Sequence, residues 1–265
     1  MFIWTKDQNT DNTETFRPDS HGTMKLALLL TTIVLFAASP GARAQDTQRP
    51  VPLTRVQIKD AEQQLANLGY FTGPVDGLFD AASQSALITF QKYEGREITG
   101  KLTADELETI RSSSTPKARE PGYPHIEIDI DRQVLLLIND AGNVRVLPVS
   151  TGSGKTFVDG DQNSVSYTPR GRFVVYEKHV GWEYGPLGAL YFANYISGGV
   201  AIHGSKNVPN KPESHGCIRI PVFAAKEVSK VMSLGLIVLV YDKVSFVSAL
   251  DWVKNPKSKP SADIE

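Results

Sequence analysis

The hydrophobic pattern of this chain changes period across one serine- and proline-rich break, and that change limits the possible folds more than any other feature. Residues 112–124, SSSTPKAREPGYP, carry three serines and three prolines and read as a linker of limited flexibility. Before it, Ile58, Ala61, Leu65 and Leu68 recur at helical spacing. After it, Ile126, Ile128 and Ile130 alternate with Glu127, Asp129 and Asp131, the period of a half-buried strand. The expectation is an α+β multidomain chain, a small three-helix bundle followed by a mainly β domain.

The helical segment spans 54–111. Gly69 ends its first helix, and the turn-rich run YFTGPVDGLFD follows. Asp80 is placed to cap a second helix carrying Leu87, Ile88 and Phe90. Thr103 and Glu106 have capping-box spacing before a third helix with Leu107 and Ile110. Leu65, Leu68, Phe79, Leu87 and Phe90 form an apolar stripe and read as core.

The β-rich segment spans 125–243. Residues 134–138 and 144–149 flank the turn signal NDAGN, so a hairpin is the simplest arrangement. The run STGSGKT at 150–156 is not a nucleotide phosphate loop, because the full GxxxxGK[ST] spacing and a following helix are both missing. A strand is expected at 173–176. The aromatics Trp182, Tyr184, Tyr191, Phe192 and Tyr195 either wall a cleft or pack the β core. Pro221 is suited to a helix start, Ala224, Val228, Val231 and Met232 mark one face of that helix, and 236–241 reads as a buried strand.

The chemistry concentrates in residues 201–221, AIHGSKNVPNKPESHGCIRIP. They hold the only cysteine, Cys217, with His215 two residues before it and His203 fourteen residues upstream. A thiolate attacks carbonyl carbon when a neighbouring base takes the thiol proton. His203 is the best-placed base, since the intervening Gly- and Pro-punctuated run reads as a loop that returns on itself. Gly216 leaves room for close backbone approach at the nucleophile. Two other readings compete: a small buried hydrophobe for the cysteine, and a zinc site of His203, His215 and Cys217 that still needs a fourth ligand. No metal or other cofactor is expected.

The pair His203-Gly204, followed by Ser214-His215-Gly216-Cys217-Ile218-Arg219, closely resembles the signature of the L,D-transpeptidase catalytic (YkuD-type) family, and Thr168-Pro169-Arg170-Gly171-Arg172-Phe173 is similar to that family's TPxGxF segment. The resemblance implies a β-sandwich-like catalytic domain acting on peptidoglycan stem peptides. Cys217 is then the nucleophile and His203 the base, with the Gly204 carbonyl orienting the imidazole. Amides near His215, Gly216 and Cys217 form the oxyanion site, with His215 supporting its geometry. Ser214 fixes the loop, as does Arg219, which alternatively meets a substrate carboxylate. Trp182 and Tyr191 are candidates for binding substrate or supporting the loop. The resemblance further implies a thioester, release of D-alanine from a tetrapeptide and 3-3 cross-linking. Hydrolysis by an L,D-carboxypeptidase or protein-to-wall attachment would use the same site, and carbapenem-type inhibitors are expected to acylate it. A non-catalytic wall-binding protein is the reading of another class.

LGYFTGPVDGLFDAASQSALITFQ and the later TGKLTADEL resemble a peptidoglycan-binding three-helix module, in which Tyr70, Phe71 and Asp76 are candidates to meet glycan or peptide. The destination agrees with the N-terminal region. Met24-Lys25, the apolar run 26–38 and Ala42-Arg43-Ala44 form an export pattern with cleavage expected after Ala44. Residues 1–23 read as a non-native or disordered extension, 45–53 as a linker and 244–265 as a polar tail. The expected location is the periplasm or cell wall, with no lasting membrane span after cleavage. A formal net charge of -1 gives nucleic acid no electrostatic footprint, and one cysteine excludes an intramolecular disulfide.

Overall fold

The structure, a computed structural model, describes residues 52–245. The export pattern at 24–44 and the polar tail beyond 245 lie outside the described residues.

Three helices come first, α1 (Arg55–Asn67), α2 (Ala81–Tyr93) and α3 (Ala104–Ser112). Asp80 caps α2 by accepting from the amides of Ala82 and Ser83, as its position predicts. The capping box forms elsewhere than expected. Thr103 accepts from the Glu106 amide, but the Glu106 carboxylate turns to Gln91 and Arg96 instead of reaching back. The complete box is at Thr54 and Gln57, which start α1.

The β part begins with β1 (His125–Asp129), β2 (Val134–Ile138) and β3 (Val144–Pro148); β2 and β3 form the expected hairpin, and β1 pairs antiparallel with β2 to extend it into a meander. A ribbon of β4 (Thr156–Asp159) and β5 (Gln162–Val165) follows. Next come β6 (Gly171–Val174), β7 (Glu177–Lys178), β8 (Trp182–Gly185), β9 (Gly188–Ser197), β10 (Val200–Ser205), β11 (Ile218–Pro221), α4 (Val222–Val231) and β12 (Ile237–Tyr241). One sheet has the order β3-β2-β1-β12-β6 and the other β11-β10-β9-β7, with β8 also pairing β9. Two neighbouring pairs are parallel, β1 with β12 and β10 with β11.

The first sheet is buried on both faces. Ile126, Ile128, Leu135 and Leu147 face Ile196, Ile202 and Ile218 of the second sheet and Ala224, Val228 and Met232 at α4. Val231, expected on the same helical face, is instead exposed. On the opposite face Val134, Leu136, Ile138, Val144 and Val146 share a core with Leu65, Leu68, Leu87 and Phe90 of the helices. The helices are therefore part of the β domain's packing.

This corrects the expectation of a half-buried first strand. Glu127 is 0% exposed and Asp129 is buried. A buried carboxylate is tolerable only when hydrogen-bonded, and Glu127 accepts from the amides of Arg119 and Glu120, from Tyr241 Oη and from His125 Nε2. Those two amides belong to 112–124, so the break that separates the two hydrophobic periods is itself fastened across the sheet. Burial raises the Glu127 pKa while His125 and the two amides lower it, and the balance falls on the lowered side.

The turn after α1 is also taken up by the β part. Gly69 (φ +96°) has its α-carbon so close to the Val144 carbonyl that a Cβ would sit 2.2 Å from that oxygen. Its own carbonyl accepts from the Val146 amide at 2.9 Å. Tyr70, read as a possible glycan contact, is buried against Phe90 and bridges to Val146.

Candidate active site

Parallel pairing of β10 and β11 assembles the site. The loop 206–217 leaves the end of β10 and returns to its start, so Ile218 lies opposite Ile202 and Arg219 opposite His203. Cys217, immediately before β11, is thereby carried from fourteen residues away to the strand that bears His203. Both residues line one cavity of about 440 Å³, together with His215, Gly216, Arg219 and the β8–β9 hairpin residues Leu187 and Leu190.

His203 is buried, and its Nδ1 lies 3.0 Å from the Gly204 carbonyl. A carbonyl only accepts, so Nδ1 carries the proton and Nε2 is left with its lone pair. Burial holds the imidazole pKa down at about 4, against the opposing pull of the Gly204 carbonyl. The ring is therefore neutral at pH 7. Gly204 cannot carry a side chain, because a Cβ would meet the Ala225 Cβ at 2.6 Å. Burial pushes the half-buried Cys217 thiol up, opposed by a backbone hydrogen bond from Ala201 and by the Arg219 charge. The resting pair is a neutral thiol and a neutral imidazole.

The turn that carries the thiol is held from three sides. Ser214 Oγ donates to the Cys217 carbonyl at 2.5 Å and accepts from the Gly216 amide at 3.1 Å. Thr168 Oγ1 donates to the Gly216 carbonyl at 2.7 Å while accepting from the Gly152 amide at 2.8 Å. The Ser214 amide donates to the Thr151 carbonyl, and Ser153 N donates to the Ser214 carbonyl. The STGSGKT run is thus a cradle for the cysteine turn. Gly216 has φ +146° and its Cβ would lie 2.9 Å from the Tyr167 carbonyl, so the position requires glycine.

Several expected roles change. The Gly216 amide is committed to Ser214, which leaves the His215 and Cys217 amides of the three expected oxyanion donors. His215 is exposed, with its ring 4.6 Å from that of Phe157 on β4. Among the described residues no three His, Cys, Asp or Glu side chains are grouped to hold a metal ion. Trp182 and Tyr191 do not border the cavity and pack together with their rings tilted at 4.7 Å, but they lie against its supports: Lys206 Nζ sits 5.7 Å from the Trp182 ring and Tyr191 is the cross-strand partner of Gly204. Cross-strand register pairs them, which turns their rings toward each other. Arg219 bonds Ser150 through its backbone, whereas its guanidinium borders the cavity and makes no ion pair among the described residues. Thr168, Thr151 and Phe157 went unread as site residues. Only Thr168 had a signal, as the first residue of the TPRGRF segment.

Family models place an L,D-transpeptidase catalytic domain (YkuD) at residues 123–240 and a putative peptidoglycan binding domain at 54–110. The L,D-transpeptidase (residues 123-326) solved from Xylanimonas cellulosilytica DSM 15894 is 34% identical, with 70% of this chain and 93% of that one covered and a TM-score of 0.66. The chain belongs to the L,D-transpeptidase family. More distant solved members are those from Stackebrandtia nassauensis (22% identity, 69% and 89% covered, TM-score 0.40) and Mycobacterium smegmatis (24%, 44% and 58% covered, TM-score 0.36). No curated protein matches. L,D-transpeptidases of the YkuD family are cysteine-dependent acyltransferases, and Cys217 is the only cysteine this member has. No helix among the described residues is long and apolar enough to cross a membrane.

Proposed function

We propose that the chain is a peptidoglycan L,D-transpeptidase that forms 3-3 cross-links through a thioester on Cys217 and acts outside the cytoplasmic membrane. The observation that carries this reading is the tautomer of His203. Its Nδ1–H is tied to the Gly204 carbonyl, which leaves Nε2 as the lone-pair nitrogen of a ring that lines the same cavity as Cys217.

In the first half-reaction Nε2 of His203 takes the thiol proton as Sγ attacks the carbonyl carbon of the L-centred residue before the terminal D-alanine. The C–S bond forms and the carbonyl π electrons move to oxygen, where the His215 and Cys217 amides are the donors at hand. Collapse expels the D-alanine amine, which takes the proton from His203 and leaves the thioester. In the second half, His203 accepts a proton from the attacking amine of another stem. The new amide forms, and the sulfur leaves and is reprotonated. Proton removal is coupled to attack, because both groups rest in the neutral form. The Arg219 guanidinium is a donor fork for a substrate carboxylate.

The test is incubation with purified tetrapeptide muropeptides followed by mass spectrometry. Cross-linked dimers that require Cys217 are expected. Tripeptides alone would make it an L,D-carboxypeptidase, and product formation by Cys217→Ala would refute the mechanism.

A further inference from the structure

Lys92 of α2 is 4% exposed, and its ammonium reaches only the carbonyls of Gln133 and Val149, at 3.5 and 3.4 Å. No carboxylate pairs with it among the described residues. Buried charges are ordinarily paired, so this one lacks a counter-ion. It lines a cleft of about 730 Å³ at the seam between the helices and the first sheet. Six cationic side chains border that cleft against the carboxylates of Asp129, Asp131 and Asp242. Two of these acids are already paired, Asp129 with Arg132 and Asp242 with Arg170, while Asp131, which accepts from the Lys243 amide, keeps its charge. Lys117 and Lys243, like Lys92, make no ion pair among the described residues. The cleft is thus short of negative charge.

It is also joined to the active site. Ser205 and Asn207 line both the Cys217 cavity and a second groove, whose other wall is the α2 surface at Gln84, Ser85 and Ile88. Asn210 lines both that groove and the Lys92 cleft. A surface path therefore follows residues 205–210 from the thiol, past α2, to the unpaired ammonium.

We propose that the Lys92 cleft is a carboxylate seat for a peptidoglycan stem peptide, which reaches it along the 205–210 groove. The proposal rests on the function given above and adds a substrate contact made by the helical region. Stem peptides carry free carboxylates, and a carboxylate at Lys92 supplies the missing counter-ion in a charge-assisted hydrogen bond. Burial also lowers the Lys92 pKa to about 8, the direction expected for an ammonium with no anion beside it.

The experiment titrates the full chain carrying Cys217→Ala, which prevents turnover, with a disaccharide-tetrapeptide, its carboxyl-amidated counterpart and inorganic phosphate, read by calorimetry. The acid form is expected to bind at least tenfold more tightly than the amide. Lys92→Met, or Lys117→Ala at the exposed rim, is expected to weaken the acid form about tenfold and leave the amide unchanged, since one charge-assisted contact is removed. Equal affinity for acid and amide, or undiminished binding by both folded variants, would overturn the proposal. Binding of phosphate without binding of the muropeptide would also overturn it and reassign the cleft to a phosphate-bearing polymer. Carbapenem acylation of the unsubstituted chain, followed by intact mass, reports on Cys217 separately. If it fails, the active-site reading fails while the titration still decides the seat.

Discussion

Replacing Lys92 by methionine is expected to stabilise the protein at neutral pH, although it removes a buried side chain's polar contacts. In the folded chain burial holds Lys92 at about 8, against 10.5 for an ordinary lysine. At about 1.4 kcal/mol per unit, keeping it charged inside the fold costs about 3 kcal/mol at pH 7. The two carbonyl contacts are long, and their loss returns about 1 kcal/mol. Methionine has nearly the same length and no charge, so the net gain is about 2 kcal/mol at pH 7. Between the folded and unfolded pKa values the unfolded chain holds the proton that the folded chain has lost, so wild-type stability rises with pH across that window. By pH 9.5 the wild type has recovered about 2 kcal/mol and the advantage of Lys92→Met closes. Urea unfolding at pH 6.5 and 9.5 measures both ends, and the gap at the lower pH should be roughly 1 M in midpoint. A variant less stable than wild type at pH 6.5, or a difference independent of pH, would refute the reasoning.

Acylation by a carbapenem should stay level from pH 7 to about 5 and reach half its plateau near pH 4, where His203 protonates. A midpoint near that of free imidazole would mean that burial does not hold the His203 pKa down in the working enzyme. The same lowered pKa makes folding stability fall as pH drops from about 6.5 through 4, because the unfolded imidazole takes up its proton first. Thr168→Val removes the hydroxyl between Gly152 and Gly216, and should slow acylation at least tenfold while costing about 1–3 kcal/mol of stability. Thr168→Ser should restore the rate, which a loss of packing alone would not allow. Phe90→Ala, at a fully buried position in the core shared by helices and sheet, should cost about 3–5 kcal/mol and lower the midpoint of one cooperative transition followed by both helical and β signals.

Local signals in the chain are enough for some of the elements, while the β4–β5 ribbon and the strands of the second sheet carry none that is legible. Periodicity marks the helices and the β2–β3 hairpin, Asp80 announces its cap, and His203-Gly204, Cys217 and the TPRGRF segment mark the candidate site. What stayed hidden depends on which surfaces meet. Glu127 and Asp129 alternate with isoleucines like any solvent-facing set, and their burial follows only from the helices and residues 112–124 closing over that face. Trp182 and Tyr191 look like cleft walls until cross-strand register turns them toward each other. The Gly216 amide resembles an oxyanion donor until Ser214 Oγ is seen beside it. Glu106 satisfied a capping rule on paper, but Arg96 and Gln91 offered its carboxylate a stronger contact.

The shared core also bears on descent. Modules that read as beads on a string can be exchanged between genes as cassettes, since each brings its own interior. Here the helices and the outer face of β2 and β3 provide one interior between them, sealed where Gly69 abuts Val144 and Tyr70 lies along Val146. A recombinant that swaps the helical half for a foreign one would leave Val134, Leu136 and Ile138 without their partners. A foreign helical half would fit only if its inner face were recut to match the outer face of β2 and β3.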